Sequence, residues 1–184
     1  MMKAINKSLM TDFSHISKNH RWYIAGFLDG EGYMGLIRVN AKNKKGSISP
    51  YYYYPVVKVL NTNKEVIDFI EEKLGGYKFF HTRRELTKGD KNYKCRDAYS
   101  LEWKSQLRIL PFLEWLYPCL IVKKPICEEL IHFIKWQMNQ NKVRTVRSQF
   151  RKERMYSVGE LEKKNEFYQK CLLLNHKGAA VTTK

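Results

Sequence analysis

Apolar residues recur at helical spacing in the first well-patterned segment of the chain, which begins near Lys18. The pattern ends at Gly30 and Gly32, because closely spaced glycines are unfavourable inside a helix and stop it. Residues 1 to 17 are polar and show no period, so we assign them to an N-terminal arm. The pattern therefore predicts a first helix that ends within the sequence Gly-Glu-Gly.

The pattern then changes to that of β-strands. Residues 33 to 40 and 51 to 60 are rich in Tyr, Val and Ile, and the segment between them carries Gly, Ser and Pro, as a long hairpin connection does. In the second strand, Val57 and Val59 point inward by the period of two. The residues on its opposite face are Tyr52, Tyr54, Val56 and Lys58. We predict a two-stranded ribbon with one face free for a ligand.

The same unit, a helix followed by two strands, is predicted a second time. A second helix follows a capping residue among positions 61 to 63, and it ends at 75 to 76, where two glycines stand together. Strands are predicted over 77 to 84 and 97 to 103, on either side of a basic connection. The chain thus repeats its order of elements, although no repeat is visible as sequence identity.

Helices are predicted for the rest of the chain. One covers 106 to 116, where Pro111 should kink or break it, and a longer one begins at Pro125 and carries an apolar stripe. A last helix is predicted over 160 to 174. The result is an α+β fold with a C-terminal helical extension, divided into an arm (1–17), a core (18–139) and a basic linker with a C-terminal helix (140–184).

The charge of the chain favours a polyanionic partner. The 184 residues carry a formal net charge of +16, and the basic residues are concentrated in runs at 40–50, 77–96 and 135–154. Nucleic acid is the first candidate, and a membrane surface is the second. A hydrophobic fraction of 43% is enough for a packed core and argues against a disordered basic protein.

Composition also argues against several other classes of protein. The four cysteines show neither the spacing of a zinc site nor that of a disulfide framework, so we expect reduced thiols, mostly in the core. No apolar run approaches the ~18 residues of a membrane span, and no signal peptide is indicated. We therefore expect an intracellular protein without a membrane partner.

The segment IAGFLDGEG, residues 24 to 32, combines small residues with two acids at a helix end. Ala25, Gly26 and Gly30 remove side chains from the helix, so that two such helices could approach closely around a twofold axis. Each copy would then bring Glu31 to the same place, where two like charges require a cation between them. Carboxylate oxygens and the Gly30 carbonyl suit magnesium, and a phosphate oxygen can complete its shell.

This segment resembles the LAGLIDADG motif of the homing endonucleases position by position. The resemblance implies an αββαββα fold in which two antiparallel ribbons form a saddle over double-stranded DNA. It implies a homodimer, since the chain carries one motif, and Mg²⁺ as cofactor, with Mn²⁺ as a substitute. It further implies a double-strand break with 3′ overhangs in a long pseudo-palindromic target. Such an enzyme promotes intron mobility, in an organelle or in a prokaryotic cytoplasm.

The resemblance assigns roles to residues at the helix end. Glu31 and the Gly30 carbonyl would bind metal, whereas Asp29 would hold the helix end together through local hydrogen bonds. Asn61, at the end of the second strand, and Lys123 would complete the active site, with Lys124 as the alternative to Lys123. The dimer interface would consist of Ala25, Gly26 and Gly30.

The resemblance also implies that side chains on the concave ribbon face read DNA. The candidates are Arg38, Asn40, Lys42, Lys44, Tyr52, Tyr54, Lys58, His81 and Arg83. Counting by twos from Glu31, however, turns Gly35, Ile37 and Val39 to that face instead of Arg38 and Asn40. Placing the latter two on the DNA side requires a bulge in the first strand.

Other functions remain open. The same fold could serve a maturase that binds intron RNA and assists splicing, or a DNA-binding regulator without cleavage. A ribosomal RNA-binding protein or a membrane-surface protein would also be basic and aromatic, but neither needs a small-residue helix that ends in paired carboxylates.

Overall fold

The computed structural model describes residues 12–40, 51–82, 96–147 and 158–176. The order of helices and strands predicted from the sequence is confirmed, and the fold is α+β. The elements are α1 (Lys18–Glu31), β1 (Gly32–Asn40), β2 (Tyr51–Asn61), α2 (Lys64–Leu74), β3 (Tyr77–His81), β4 (Ala98–Lys104), α3 (Gln106–Leu116), a 3₁₀ turn (Tyr117–Cys119), α4 (Lys124–Arg147) and α5 (Val158–His176).

The four strands form one antiparallel sheet in the order β1-β2-β4-β3. Each predicted ribbon is present, and the two ribbons join through β2 and β4, where Val57 lies opposite Trp103. Paired residues of antiparallel strands point to the same side, so the register divides the sheet into two faces. We call the side that carries Val57 and Trp103 the helix face, because its side chains are buried against the helices. The opposite side is the outer face.

Local signals in the sequence fix the ends of α2. Asn63 is the N-cap, and its side chain accepts hydrogen bonds from the backbone N–H groups of Glu65 and Val66. The helix ends at Gly75, whose φ of 67° lies in the left-handed region that favours glycine. Trp103 Nε1 donates to the Gly75 carbonyl at 2.9 Å, which ties this helix end to the sheet.

Two helices differ from their predicted form. Helix α3 continues through Pro111, and the expectation of a break there is wrong. Pro111 has no N–H to donate to the carbonyl of Leu107. Leu107 is 69% exposed, so water can replace the missing hydrogen bond. Helix α4 extends to Arg147, beyond the end of its apolar stripe near Asn139.

Segments at both ends of the described chain join the core. Phe13 and Ile16 are buried, and the ring of Phe13 stacks on Trp115 at 4.9 Å between centroids. In α5, Asn175 donates to the Met34 carbonyl of β1 at 2.9 Å. Because β1 lies at the edge of the described sheet, α5 covers backbone groups that would otherwise be open to pairing.

The described cysteines agree with the predicted reduced thiols. Cys119, Cys127 and Cys171 are free and buried, whereas Cys95 lies outside the described residues. Burial raises the pKa of the Cys127 thiol to about 12 and that of Cys171 to about 12. Such thiols are poor nucleophiles and metal ligands, so they act as small apolar side chains. In the described segments, no helix has the length and apolar character needed to span a membrane.

Candidate functional site

The end of α1 turns sharply into β1 at Gly32. A Cβ at this position would lie 2.5 Å from the carbonyl oxygen of Leu28, so only glycine allows the close approach. The turn leaves Glu31 exposed as the last residue of the helix, next to the first residue of β1. The local sequence therefore places a carboxylate where the helix meets the sheet.

Asp29 connects this helix end to a distant part of the chain. Its carboxylate accepts hydrogen bonds from the backbone N–H groups of Ile121 at 2.7 Å, Val122 at 3.3 Å and Lys123 at 2.8 Å. These N–H groups precede α4, so the carboxylate serves as an anion at a helix N-terminus. Asp29 is structural, as the motif implies, but its bonds cross from α1 to α4 and are not local.

Lys123 reaches the end of α1 that carries Glu31. Its Nζ donates to the backbone carbonyl of Asp29. Burial lowers the pKa of the Lys123 ammonium, while the negative charges of Asp29 and Glu31 act in the opposite direction. Lys124 points elsewhere, with its Nζ 5.0 Å from the centroid of the Tyr117 ring. Of Lys123 and Lys124, Lys123 is therefore the one whose side chain is held at the end of α1 that carries the candidate metal ligand.

Asn61 ends β2, as expected, and its side chain organises the following turn. Its amide oxygen accepts a hydrogen bond from the backbone N–H of Asn63 at 2.8 Å. The structure thus shows a local role in starting α2. The catalytic role of Asn61 remains a prediction.

One chain does not supply a complete metal site among its described residues. They contain no group of three or more His, Cys, Asp and Glu side chains that could hold a metal ion. The carboxylate of Asp29 is already engaged by three N–H groups. Glu31 is the exposed carboxylate at this helix end.

The outer face of the sheet carries four of the predicted DNA-reading side chains. Lys58 pairs with Tyr33 of β1 and lies 5.3 Å from the centroid of its ring. On β3, His81 Nε2 is 2.7 Å from the hydroxyl of Ser100. By the register, the predicted residues on the outer face are Tyr52, Tyr54, Lys58 and His81.

Arg38 and Asn40 are on the helix face, so the expectation that they face DNA beside these residues is wrong. Pairing is continuous from Gly32 to Asn40, without the bulge that would turn them over. The Arg38 guanidinium lies over Tyr51 at 4.8 Å and over Tyr168 of α5 at 5.1 Å from the ring centroids. Arg38 therefore holds α5 against the ribbon. The candidates Lys42, Lys44 and Arg83 lie outside the described residues.

Helix α1 presents a small and partly aromatic surface to solvent. A Cβ added at Gly26 or at Gly30 would meet nothing within 4 Å, so the fold of one chain does not require glycine at either position. Trp22 and Tyr23 on the same helix are about half exposed. Ala25 is fully buried in the core of its own chain, and the prediction that it lines the interface is wrong.

Two aliphatic residues beside the helix end were missed in the sequence. Ile121 is 81% exposed and Val122 is 73% exposed, and both donate a backbone N–H to Asp29. The signal in the sequence that could have identified them is their position, since they are two adjacent β-branched residues directly before a candidate active-site lysine. They leave an exposed apolar surface beside the end of α1, and Trp22, four residues before Gly26, leaves another on the glycine side of the helix.

The link between Asp29 and α4 leads to a stability prediction. Asp29→Ala removes the acceptor of three N–H groups and should lower the stability by about 1–2 kcal/mol, as for loss of a helix cap. For a chain of this size, each kcal/mol shifts Tm by about 2–4 °C. Asp29→Asn retains one acceptor oxygen and should lower the stability by less.

Asp12→Ala is the matched control for thermal melting. Its carboxylate is exposed and accepts a hydrogen bond from the nearby Ser14 N–H, at 2.9 Å. It should leave Tm almost unchanged. An Asp29→Ala protein with the same Tm as the wild type would contradict a stabilising role of the Asp29 hydrogen bonds.

Comparisons with known proteins identify the fold. No family model matches the sequence, and no curated protein matches it. Among solved structures, the homing endonuclease I-CvuI, in complex with I-CreI target DNA in the presence of 2 mM Mg and with the DNA not cleaved, shares 16% identity at a TM-score of 0.60. The match covers 85% of this chain and 82% of that chain.

Two further structures resemble the chain at similar identity. The archaeal intron-encoded homing endonuclease I-Vdi141I, complexed with DNA, shares 20% identity at a TM-score of 0.51, over 83% of this chain and 96% of that chain. The LAGLIDADG homing endonuclease I-SmaMI, bound to cleaved DNA, shares 14% identity at a TM-score of 0.53, over 80% of this chain and 42% of that chain. The chain has the fold of the LAGLIDADG homing endonucleases.

Proposed function

We propose that the chain is a homing endonuclease that hydrolyses both strands of a long, pseudo-palindromic DNA site and thereby promotes intron mobility. The observation that supports this most directly is the exposed Glu31 at the junction of α1 and the sheet, with Lys123 held beside it. The net charge of +16 and the DNA complexes of the structural neighbours also support a DNA partner.

Magnesium fits the donor groups at the helix end, and Mn²⁺ should substitute for it. Glu31 offers an exposed carboxylate, and Gly30 offers a backbone carbonyl at the C-terminus of α1. A hydrated divalent ion, when bound, supplies a more acidic water and stabilises negative charge on a phosphate.

Glu31 binds the metal in this proposal, whereas Lys123 acts on phosphate charge or on an active-site water. The Asp29 carbonyl fixes the Lys123 ammonium, and its partial burial strengthens its interaction with an anion. Asn61 would orient water through the amide nitrogen, since its oxygen is engaged by the following turn. Asp29 is a positioning residue, because it holds the segment that carries Lys123.

The proposed enzyme is a homodimer through α1. The open space at Gly26 and Gly30 supports this, because both glycines leave room for a second helix. The exposed Trp22, Ile121 and Val122 would be covered by the second copy. The fold also corresponds to 42% of the I-SmaMI chain, as expected if two copies of this chain make one such unit.

Two alternatives follow from the same fold. A maturase would bind intron RNA through the basic surface, and a DNA-binding regulator would use the sheet without cleavage. The exposed Glu31 favours the nuclease over both, because neither binding function needs a carboxylate and a partly buried lysine at the same helix end.

Cleavage of a plasmid library that carries candidate intron-insertion junctions tests the proposal. We expect linear product in Mg²⁺ or Mn²⁺ and none when EDTA removes the metal. Cleavage that is unaffected by EDTA would contradict the metal-dependent mechanism. Accelerated splicing of a precursor RNA without any DNA cleavage would instead identify a maturase.

A further inference from the structure

The far end of the β1–β2 ribbon carries an uncharged surface on the outer face. Ile37 lies opposite Tyr54, and Val39 lies opposite Tyr52, so the two pairs are neighbours on one side of the sheet. Val39 is 42% exposed. We call these four residues the ribbon patch.

The charged side chains of the described outer face lie towards the other end of the ribbon. They are Lys58, Glu102 and Lys104, and the last two form an ion pair with each other. Arg38 and Asn40 alternate with the patch residues along β1, but the register turns them to the helix face. The ribbon patch therefore contains no Arg, Lys, Asn or Gln.

This composition limits which base edges the patch can recognise. Specific reading of guanine in the major groove usually uses Arg or Lys, and specific reading of adenine uses Asn or Gln. Neither kind of contact is available from the patch. The apolar group that a base presents in the major groove is the C5 methyl of thymine, which apolar side chains contact.

The charge needed for affinity is present next to the patch in the sequence. Residues 41–50, which connect the two strands, contain Lys42, Lys44 and Lys45 and no acid. Lysine contacts with phosphates supply affinity that carries no base information. On the described ribbon, the aliphatic side chains at this end are Ile37 and Val39, and their possible base contact is apolar.

We propose that the ribbon patch recognises A·T pairs through the thymine methyl groups, with Ile37 and Val39 as the contacting side chains. The proposal rests on the proposed function, because it assumes that the outer face lies in the major groove of duplex DNA. It assigns thymines to the outer part of each half-site. It also makes Val39 a specificity-determining residue.

Selection from a randomised duplex library with the full-length chain, followed by replacement of thymine with uracil, tests this proposal. Uracil pairs as thymine does and lacks only the methyl group. We expect A·T pairs in the outer part of each selected half-site. Each uracil there should weaken binding by about fourfold, the effect of exposing one buried methyl group. Uracil at other positions of the same duplex should have no effect.

Val39→Thr supplies the matched protein variant, because threonine keeps the shape of valine and replaces one methyl with a hydroxyl. The ratio of its affinities for the thymine and uracil duplexes should fall towards one at a single base pair. Lys58→Ala, on the same face, should weaken binding to the thymine and uracil duplexes equally. Cooperative thermal melting of each variant establishes that it is folded.

The possible outcomes distinguish thymine recognition by the ribbon patch from the proposed DNA function. If the wild-type chain selects specific duplexes but has G·C pairs at these positions, or binds thymine and uracil duplexes equally, the patch does not read methyl groups. The proposed DNA function would then stand. If the chain retains no duplex from the library, the proposed function fails together with this inference.

Discussion

Glu31→Gln should abolish DNA cleavage while leaving DNA binding intact. The amide has nearly the shape of the carboxylate but is a poor ligand for a hard divalent cation. Metal stabilisation of transition-state charge contributes several kcal/mol, so the single-turnover rate should fall by on the order of 10³-fold. Binding should stay equal or become tighter, because a carboxylate near phosphates repels them.

The matched control is Glu162→Gln, which removes an exposed glutamate on α5. It changes the net charge by the same amount but should leave both the rate and the affinity unchanged. Measuring cleavage at saturating DNA separates a loss of chemistry from a loss of binding. A Glu31→Gln enzyme that cuts at the wild-type rate in Mg²⁺ would remove Glu31 from the metal site.

The order of helices and strands was predictable because the apolar positions change their period where the elements change. Val57 and Val59 alternate with outer-face residues, and the register confirms that alternation. Asn63 and Gly75 end α2 through side-chain capping and a left-handed backbone, which are properties of the residues themselves. These features depend on nearby sequence and need no knowledge of the tertiary structure.

The register of β1 was also predictable, although the chemistry of the side chains argued against it. Counting from Glu31 places Arg38 on the helix face, but an arginine next to a DNA-binding surface is expected to contact DNA. In the structure, the Arg38 guanidinium lies over the ring of Tyr168 in α5, which explains why Arg38 is on the helix face. A contact between residues so far apart in the chain leaves no periodic signal in either segment.

The arrangement of the candidate site could be predicted only in part. The motif implies Glu31 at a helix end, but it does not indicate that Asp29 binds three N–H groups before α4. That contact brings Lys123 to the site and fixes its side chain at the Asp29 carbonyl. The sequence left Lys123 and Lys124 as alternatives because they are adjacent, and only the contact of residues 121–123 with Asp29 separates them.

Gly26→Leu should prevent dimerisation without harming the fold of one chain. An added Cβ at Gly26 meets nothing within 4 Å, and leucine favours a helix more than glycine does. In a symmetric dimer the same residue from both copies lies at the interface, so two leucines would meet where two glycines did. At ~1–3 kcal/mol for each overpacked side chain, association should weaken by on the order of 30- to 10,000-fold.

Gly159→Leu is the control for Gly26→Leu, because Gly159 is also helical and an added Cβ there also meets nothing within 4 Å. It should leave the dimer intact. Sedimentation over a range of concentrations should give monomer for Gly26→Leu and dimer for Gly159→Leu, and both should melt at or above the wild-type Tm. Double-strand cleavage should be lost with the proposed dimer, because one chain supplies a single Glu31. If Gly26→Leu remained a dimer that cleaves both strands, α1 would not be the interface, and the second set of ligands would have to come from another surface of the chain.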